Sequence, residues 1–374
     1  MGIKMAGPWF EVEKRAREIG VVEFSSNYEL YANMSNRFMT TLKQFSPRQE
    51  IYSIDECFLD LTGMKRDRVA YGHIIKETVM LWTGLPICVG IGHSKTLAKL
   101  ANHYAKKEPK TKGVSDFSQL SQEELDSILE KLPVSSVWGV GRRLEASLKA
   151  LGVANVLRLK NADLRRIRDR FGITMQRTVQ ELKGEAWLEL EEETPMAKQV
   201  MSSRSFGERV ECLQQLREAI SYHAANAAQR LRRQGMYAGA VSIFIQNSPF
   251  DQAQFYGRSE SIALPAPTDC SLQITNAALW ILKRVYRPQV YYQKAGVMLS
   301  ELVPEDGQQT DLLGFSSTHN KSGRLMETMD TINRRYKRST IHLASEGTAR
   351  TWSMRRSFKS PNYTGDWLEL PMVS

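Results

Sequence analysis

The stretch IYSIDECFLDL, residues 51–61, sets an apolar β-rich run on either side of Asp55 and Glu56. The pattern predicts two strands of a hairpin, with both carboxylates at the turn between them. Hard divalent cations such as Mg²⁺ prefer oxygen ligands that a rigid element holds in place. Asp also favours turns because of its local hydrogen bonds, so a plain hairpin turn accounts for the same residues.

Helices and apolar strands alternate on both sides of this hairpin, which predicts an α+β core. Ser26 and Glu29 have the spacing of a helix capping box, and the apolar residues from Tyr31 to Phe45 recur every three or four positions as one buried stripe. The other predicted elements are a helix over Pro8–Ile19, a strand over Val21–Ser25, a helix from about Asp67, a strand over Pro86–Ile91, a helix over Ser94–Lys107 and a strand over Gly113–Phe117.

Lys95, Lys99 and Lys106 form one face of the helix that follows the strand ending at Ile91. Backbone amides at a helix N-terminus attract phosphate, so a triphosphate could bind along this face. A solvated basic face is the alternative, because most lysine stripes have no ligand.

Residues 119–190 contain only helix signals, beginning with a capping box at Ser121 and Glu124. Inside them, Val137-Trp138-Gly139-Val140-Gly141 lies between helices and is followed by Arg142 and Arg143. Two glycines let the backbone turn tightly and present its N–H groups, as in a helix-hairpin-helix that grips a DNA phosphate without reading bases. An ordinary turn between helices remains the alternative.

An acidic stretch with Pro195 separates this region from a β-α-β-β-α-β succession, which is the split βαβ arrangement. Arg204, Arg209 and the cluster Arg230, Arg232 and Arg233 could extend a phosphate-binding track, or could be plain surface. After Pro304 the chain is polar, with a helix signal over Leu325–Arg335 and a strand signal over Thr340–Leu343.

The composition restricts the class of protein. Among 374 residues, 51 are basic and 41 acidic, and this net charge of +10 favours a polyanionic partner such as nucleic acid, although ribosome-bound and membrane-surface proteins have similar charge. Four cysteines show no CxxC spacing, which argues against a zinc ribbon or a disulfide framework. We therefore interpret the cysteines as reduced, in a cytoplasmic compartment. The apolar runs are too short to cross a bilayer, so we expect a soluble protein without a membrane span.

Three motifs in this order resemble those of the Y-family translesion DNA polymerases: Tyr52–Glu56, the run Gly92–Asn102, and Trp138–Gly141. The segments Phe24–Tyr31, Ser203–Arg209 and Met329–Thr331 are similar to the UmuC type in particular, and the similarity spans the whole chain. The resemblance implies an α+β multidomain fold, a right-hand polymerase with a little-finger domain. Its segments would be a fingers remnant (1–20), a palm without its first strand (21–118), a helical thumb (119–190), a linker (191–199), a split βαβ little finger (200–303) and a C-terminal tail (304–374).

The resemblance also implies roles for individual residues. Asp55 and Glu56 would be catalytic and would bind Mg²⁺ of a two-metal site, and Lys106 would meet the incoming dNTP. Further implied contacts are Gly139, Val140, Gly141, Arg142 and Arg143 with the DNA duplex, Arg204 and Arg209 with template phosphates, and Gln309, Leu312 and Leu313 with the sliding clamp. Leu313 stands where the clamp motif usually has an aromatic residue.

One departure from the family pattern concerns catalysis. The family opens with a strand that carries another metal-binding Asp and an aromatic steric gate, and this chain resembles the family only downstream of them. We therefore interpret Met1 as an internal start or a fragment boundary. Two metals need several carboxylates, and Asp55 and Glu56 are too few, so we expect the isolated chain to bind primed DNA but to extend it poorly or not at all.

The resemblance implies a DNA-directed DNA polymerase that copies damaged primer-template DNA in the bacterial SOS response. Its implied partners are a UmuD′ dimer, RecA and the sliding clamp, in the cytoplasm near the nucleoid. The alternative is a non-catalytic remnant that binds DNA and these partners. A third hypothesis, a nucleotidyl cyclase or metal phosphodiesterase, shares the acid pair but does not explain the glycine turn or the second α+β domain.

Overall fold

A computed structural model describes Ile3, residues 7–193, 196–251, 254–305, 317–336 and 340–370, and Met372. The chain divides into two compact units. Unit 1 is Met1–Thr194 together with Phe358–Ser374, and unit 2 is Pro195–Ser357. The finer division into six segments stays a prediction. None of the described helices is long and apolar enough to cross a membrane.

The first half of unit 1 is the α+β core that the sequence predicts. Asp67 caps the third helix by accepting from Val69 and Ala70, and Ser94 caps the fourth by accepting from Leu97. The elements are α1 (Trp9–Glu18), α2 (Tyr28–Lys43), β1 (Gln49–Ile51), β2 (Cys57–Leu59), α3 (Arg68–Thr83), β3 (Val89–Ile91), α4 (Lys95–Lys107) and β4 (Val114–Asp116).

The four strands form two separate two-stranded sheets. Strands β1 and β2 are antiparallel, with Gln49 opposite Leu59, and β3 and β4 are parallel. Helix α4 packs directly on β3 because Gly90 has no side chain: a Cβ there would lie 2.1 Å from the Asn102 nitrogen. This close approach fixes where the lysines of α4 lie relative to the strands.

Two predictions near the start of the chain are wrong. Val21–Ser25 is not a strand; Ser25 alone forms an isolated parallel bridge, with Lys359. Helix α2 is capped by Asn27, whose side chain accepts from Leu30, and not by Ser26 with Glu29. The Ser25 bridge depends on C-terminal residues that no local pattern contains, whereas Asn27 caps α2 through a local hydrogen bond and its amide also donates to Ser360.

The second half of unit 1 is helical, as predicted, and the capping box of Ser121 and Glu124 is formed. Leu129, Leu148 and Leu182 are fully buried in its core. The helices are α5 (Gln122–Lys131), α6 (Arg142–Ala150), α7 (Val156–Lys160) and α8 (Leu164–Leu182).

Unit 2 confirms the predicted succession of elements. The sheet order is β5-β8-β6-β7 and every neighbouring pair is antiparallel, so β5 and β6 run parallel with β8 between them, as a split βαβ unit requires. Its elements are β5 (Val200–Val210), α9 (Leu213–Arg232), β6 (Met236–Asn247), β7 (Gly257–Thr268), α10 (Ser271–Val285) and β8 (Tyr292–Pro304).

The C-terminal part of unit 2 packs onto this framework. Helix α11 (Ser317–Tyr336) buries Met326, and Trp352 lies in the same core as the sheet residues. The predicted strand over Thr340–Leu343 is wrong. The Asn333 side chain instead donates to the Ile341 carbonyl and accepts from its N–H, which leaves no ladder for a strand.

Candidate functional site

The predicted acid pair lies in the turn between β1 and β2. The N–H groups of Tyr52 and Ser53 both donate to the Glu56 carbonyl, each at 3.1 Å. The Ser53 hydroxyl donates to the Asp55 carboxylate at 2.7 Å. Asp55 is exposed and Glu56 is half-buried, so the hairpin presents both carboxylates outside the strands, although Asp55 also makes the local hydrogen bond of an ordinary Asp turn.

Lys99 on α4 lies against this turn. Its ammonium is 2.9 Å from the Glu56 carboxylate, 4.4 Å from the ring centre of Tyr52 and 5.1 Å from that of Trp138. The Trp138 indole N–H donates to the Tyr52 hydroxyl at 3.0 Å. A cation between a carboxylate and two aromatic faces is held electrostatically from three sides, so the acid pair and the glycine turn meet at Lys99.

Lys95 does not belong to the exposed basic face that the sequence predicts. It is buried and paired with the Glu50 carboxylate, and it donates to the Glu189 carbonyl at 2.5 Å. Glu50 also accepts from the Glu191 N–H at 2.9 Å. This lysine ties β1 to the residues that follow α8, and its charge is compensated inside the protein.

The acid pair lines a cleft of about 1220 Å³ in unit 1. Lys99 and the exposed Lys106 line the same cleft, so the structure brings two sequence-predicted sites, the acid pair and the lysine face of α4, to one concavity. Part of the apolar stripe of α2 lines it too: Phe38 is buried as predicted, but Tyr31 is 45% exposed toward solvent. The stripe is therefore buried only in its C-terminal half.

The residues around the acid pair fit a divalent ion only in part. Within the described ranges, no group of three or more His, Cys, Asp or Glu side chains could hold a metal ion. Asp60, the next acid on the hairpin, pairs with Arg48 at 3.1 Å, and hydrogen bonds from Thr62, followed by Arg48, lower its pKa. Asp55 and Glu56 thus supply two carboxylates, one of them already paired with Lys99, and we derive no catalytic step through a metal.

The glycine turn has the backbone that its sequence predicts. Gly139 has a φ of +87°, a left-handed conformation that favours glycine, and Gly141 is the N-cap of α6. Val137 and Val140 are buried and fix the turn, while Arg142 and Arg143 are exposed in the first turn of α6. This arrangement suits a phosphate, since backbone donors, the positive end of the helix and two guanidinium groups lie together.

The arginines of unit 2 differ in availability. Arg204 is exposed on β5, and Arg209 is paired with Asp251 at 2.7 Å. Arg230 donates to the Met201 carbonyl, and Arg232 makes an ion pair with Asp330 at 2.7 Å. Arg232 therefore holds the protein together and is not part of a surface track. The clamp residues Gln309, Leu312 and Leu313 lie outside the described residues.

Sequence reasoning missed three residues that organise the two units: Asn27, Trp138 as a partner of Lys99, and Trp352. Trp138 belongs to a motif that was selected for its glycines, and the available sequence signal was an aromatic residue next to a glycine turn. Asn27 carries the local signal of a helix N-cap, but its contact with Ser360 and the ring contacts of Trp352 have no local signal, because those partners are more than a hundred residues away in the chain.

Sequence comparison finds four matching family regions. The impB/mucB/samB family matches residues 1–103, its C-terminal domain matches 197–312, and the IMS family HHH motif matches 122–153, which includes the glycine turn. A domain of unknown function, DUF4113, matches residues 323–373.

Among curated relatives, the protein UmuC of Salmonella typhimurium is 43% identical over 377 aligned residues, which cover 100% of this chain and 89% of the relative. The protein MucB of Escherichia coli is 40% identical over 100% of this chain and 88% of its own length. DNA polymerase IV of Moorella thermoacetica is 27% identical over 85% of this chain and 76% of its own length.

Among solved structures, the Y-family DNA polymerase chimera Dbh-Dpo4(243-245)-Dbh matches with a TM-score of 0.62. The match covers 81% of this chain and 84% of the chimera at 17% identity, so the likeness concerns the fold.

Proposed function

Because the chain belongs to the impB/mucB/samB family of Y-family DNA polymerases, of UmuC type, we propose that it serves translesion DNA synthesis. The reaction is template-directed nucleotidyl transfer from a dNTP to a primer on damaged DNA. The observation that carries the proposal is that Asp55, Glu56, Lys99 and Lys106 line one cleft. The glycine turn, whose backbone suits a phosphate, lies in the same unit. Carboxylates and ammonium groups in one concavity are the groups that phosphoryl transfer uses.

We assign the residues as follows. Asp55 and Glu56 are the residues that would hold Mg²⁺, and a bound ion would supply charge stabilisation there. Lys106 binds the triphosphate as a point charge at the exposed end of α4. The turn Gly139–Gly141, with Arg142 and Arg143, binds the duplex backbone, and Arg204 and Arg209 bind template phosphates. Arg209 exchanges its Asp251 partner for a phosphate in this assignment.

The donor set limits the expected activity. A two-metal site clamps the attacking and leaving oxygens and needs more carboxylates than Asp55 and Glu56, while Asp60, which lines the same cleft, is paired with Arg48. We therefore expect the chain of 374 residues to bind primed DNA but to extend it poorly or not at all. The second candidate function, a non-catalytic protein that binds DNA and partners, rests on the same observation and on the pairing of Glu56 with Lys99.

Two measurements on the purified chain test these functions. Affinity for a primer-template, measured by fluorescence anisotropy at a series of salt concentrations, should fall with a log-log slope of about 0.9 per phosphate neutralised. Asp55→Ala should leave this affinity unchanged, because the carboxylate serves the chemistry. Absent or salt-insensitive DNA binding would contradict the polymerase assignment, and robust Mg²⁺-dependent primer extension would contradict the expected loss of activity.

The partners are proposed from family resemblance. A UmuD′ dimer and RecA are the proposed protein partners, and Gln309, Leu312 and Leu313 are proposed to bind the sliding clamp. The proposed location is the bacterial cytoplasm, associated with the nucleoid through DNA.

A further inference from the structure

The described residues among those matched by the domain of unknown function form no hydrophobic core cluster of their own. Their first anchor is in unit 2, where Trp352 is only 3% exposed. Its ring centre lies 5.4 Å from that of Tyr222, 6.0 Å from His223 and 6.2 Å from Phe206. A buried tryptophan with three ring partners contributes on the order of several kcal/mol, so this anchor is firm.

Helix α11 reinforces the same anchor. Asp330 accepts two hydrogen bonds from the Arg232 guanidinium, at 2.7 and 3.0 Å, and a third from Gln229 at 3.2 Å. The two side chains of the ion pair are 12% and 17% exposed. A bidentate pair that is largely removed from water holds its elements in one orientation.

After Ser357 the chain leaves unit 2 and becomes part of unit 1. The Phe358 carbonyl accepts from the Ser25 N–H at 2.9 Å, and Lys359 pairs with Glu29 at 3.3 Å. Arg37 on α2 donates to the Thr364 carbonyl at 3.3 Å. The C-terminal residues thus follow the beginning of α2 for several residues, bound mainly through their backbone.

Asn27 is the centre of this second anchor. It is 0% exposed, and its side-chain oxygen caps α2 by accepting from Leu30 at 3.2 Å. Its side-chain amide donates to the carbonyl of Ser360 at 2.8 Å and to that of Pro361 at 3.4 Å. One buried side chain therefore both starts the helix and holds the C-terminal residues, and without them its amide donors would have no protein partner there.

We propose that residues 344–364, hereafter the strap, are an intramolecular tether whose binding surface is the start of α2. The chain passes between the units twice, once near residue 194 and once at the strap. Trp352 is buried at one end of the strap, and Asn27 binds the other end through hydrogen bonds. A second anchored connection restricts how far the two units can separate. A ligand that is bound to one unit therefore meets the other unit at a higher effective concentration. The strap thereby strengthens binding of DNA that contacts both units, and this part rests on the proposed function.

The test separates helix capping from strap binding. Asn27→Asp keeps the oxygen that caps α2 but replaces the amide donors by a carboxylate that repels the Ser360 and Pro361 carbonyls. A second variant, truncated after Ser357, leaves Asn27 intact and remains informative if the first one does not fold. Asn36→Asp makes the same chemical change at an exposed position of the same helix and serves as the matched control.

Two readouts are compared in the wild type, the two substitution variants and the truncated chain, with fluorophores on non-natural residues at exposed positions 123 of unit 1 and 273 of unit 2. The distribution of single-molecule energy-transfer efficiencies should broaden in Asn27→Asp and in the truncated chain. Primer-template affinity should fall by about tenfold in both. Asn36→Asp should change neither. Unchanged distance distributions in both variants would contradict the proposal that the strap tethers the units. Broader distributions with unchanged affinity would contradict its role in DNA binding. If the wild type does not bind DNA, the proposed function fails while the distance measurement still tests the tether.

Discussion

Lys95 and Lys99 lie one helical turn apart on α4, yet their ammonium groups have different surroundings. The Lys95 side chain is 8% exposed and paired with Glu50, whose side chain is 9% exposed. Lys99 is 21% exposed, and its partner Glu56 is 42% exposed. Because it is buried, the Lys95–Glu50 pair has a structural role. The Lys99–Glu56 pair is reached by solvent and is available for ligands.

The first prediction follows from this difference. Lys95→Met should lower the free energy of unfolding of unit 1 by about 3 to 5 kcal/mol, because Glu50 would keep a buried, uncompensated charge. Lys99→Met should cost about 1 kcal/mol or less. Urea unfolding of the two variants measures both values, and equal losses would show that the two pairs are equivalent.

The second prediction concerns His223 on α9. Burial, and next to it the charge of Arg204, lowers the pKa of His223 to about 4. Ser202, Tyr222 and Trp352 also face the ring. The unfolded chain, with an ordinary pKa of about 6.5, binds the proton more readily, so this stability is present above about pH 6.5 and is lost as pH falls toward about 4.

Between about pH 6.5 and about pH 5, unit 2 should therefore lose about 2 kcal/mol of unfolding free energy through His223. Urea titrations at several pH values measure the slope. His223→Gln keeps a side-chain acceptor near Ser202 but cannot titrate, so its curve should be flatter. The same slope in both proteins would assign the pH dependence to other groups.

Among the elements, the glycine turn depends on one backbone conformation. A Cβ added at Gly139 would have no atom within 4 Å, so a side chain there meets strain from its φ of +87° and no steric clash. Any cost to DNA binding would then come from the altered backbone direction of the turn. Gly172, at the break in α8, has a φ of +82° and the same open space, which makes it a matched control.

Gly139→Ala should weaken primer-template binding by about tenfold, because the turn can no longer aim its N–H groups at a phosphate. Gly172→Ala should cost about 1 to 3 kcal/mol of stability without a comparable loss of affinity, because a φ of +82° with a ψ of 178° is a conformation that few residues other than glycine adopt. Anisotropy titrations at one fixed salt concentration compare the two. Equal affinities for both variants would remove the turn from the DNA-binding assignment.

At the scale of the whole molecule, the two units have separate hydrophobic cores. Trp352 belongs to the core of unit 2, whereas Leu129 and Leu148 belong to the helical core of unit 1. Trp352→Ala should lower the stability of unit 2 by about 3 to 5 kcal/mol through the cavity it leaves. Hydrogen exchange resolved by peptide should show lost protection in α9 and β5, and an equal loss around Leu129 would contradict separate cores.

Several features followed from sequence because their causes are local. The capping box of Ser121 and Glu124 needs only a three-residue spacing, and the left-handed Gly139 follows from a glycine turn between helices. The split βαβ order of unit 2 followed from the alternation of strand and helix patterns. The acid hairpin was predicted in the same way, although β1 ends at Ile51, so residues 52–54 belong to the turn, and β2 ends at Leu59, before the end of its apolar run.

The sequence by itself thus determined where most helices and strands lie, which residues are acidic at the hairpin and which family the motifs resemble. The tertiary structure decided which lysine is buried, that Lys99 lies between Glu56 and Trp138, and that the C-terminal residues bind the start of α2. Periodicity shows which face of an element is apolar, but it does not show which distant element covers that face. Contacts such as Asn27 with Ser360, 333 residues apart, form only when the whole chain has folded.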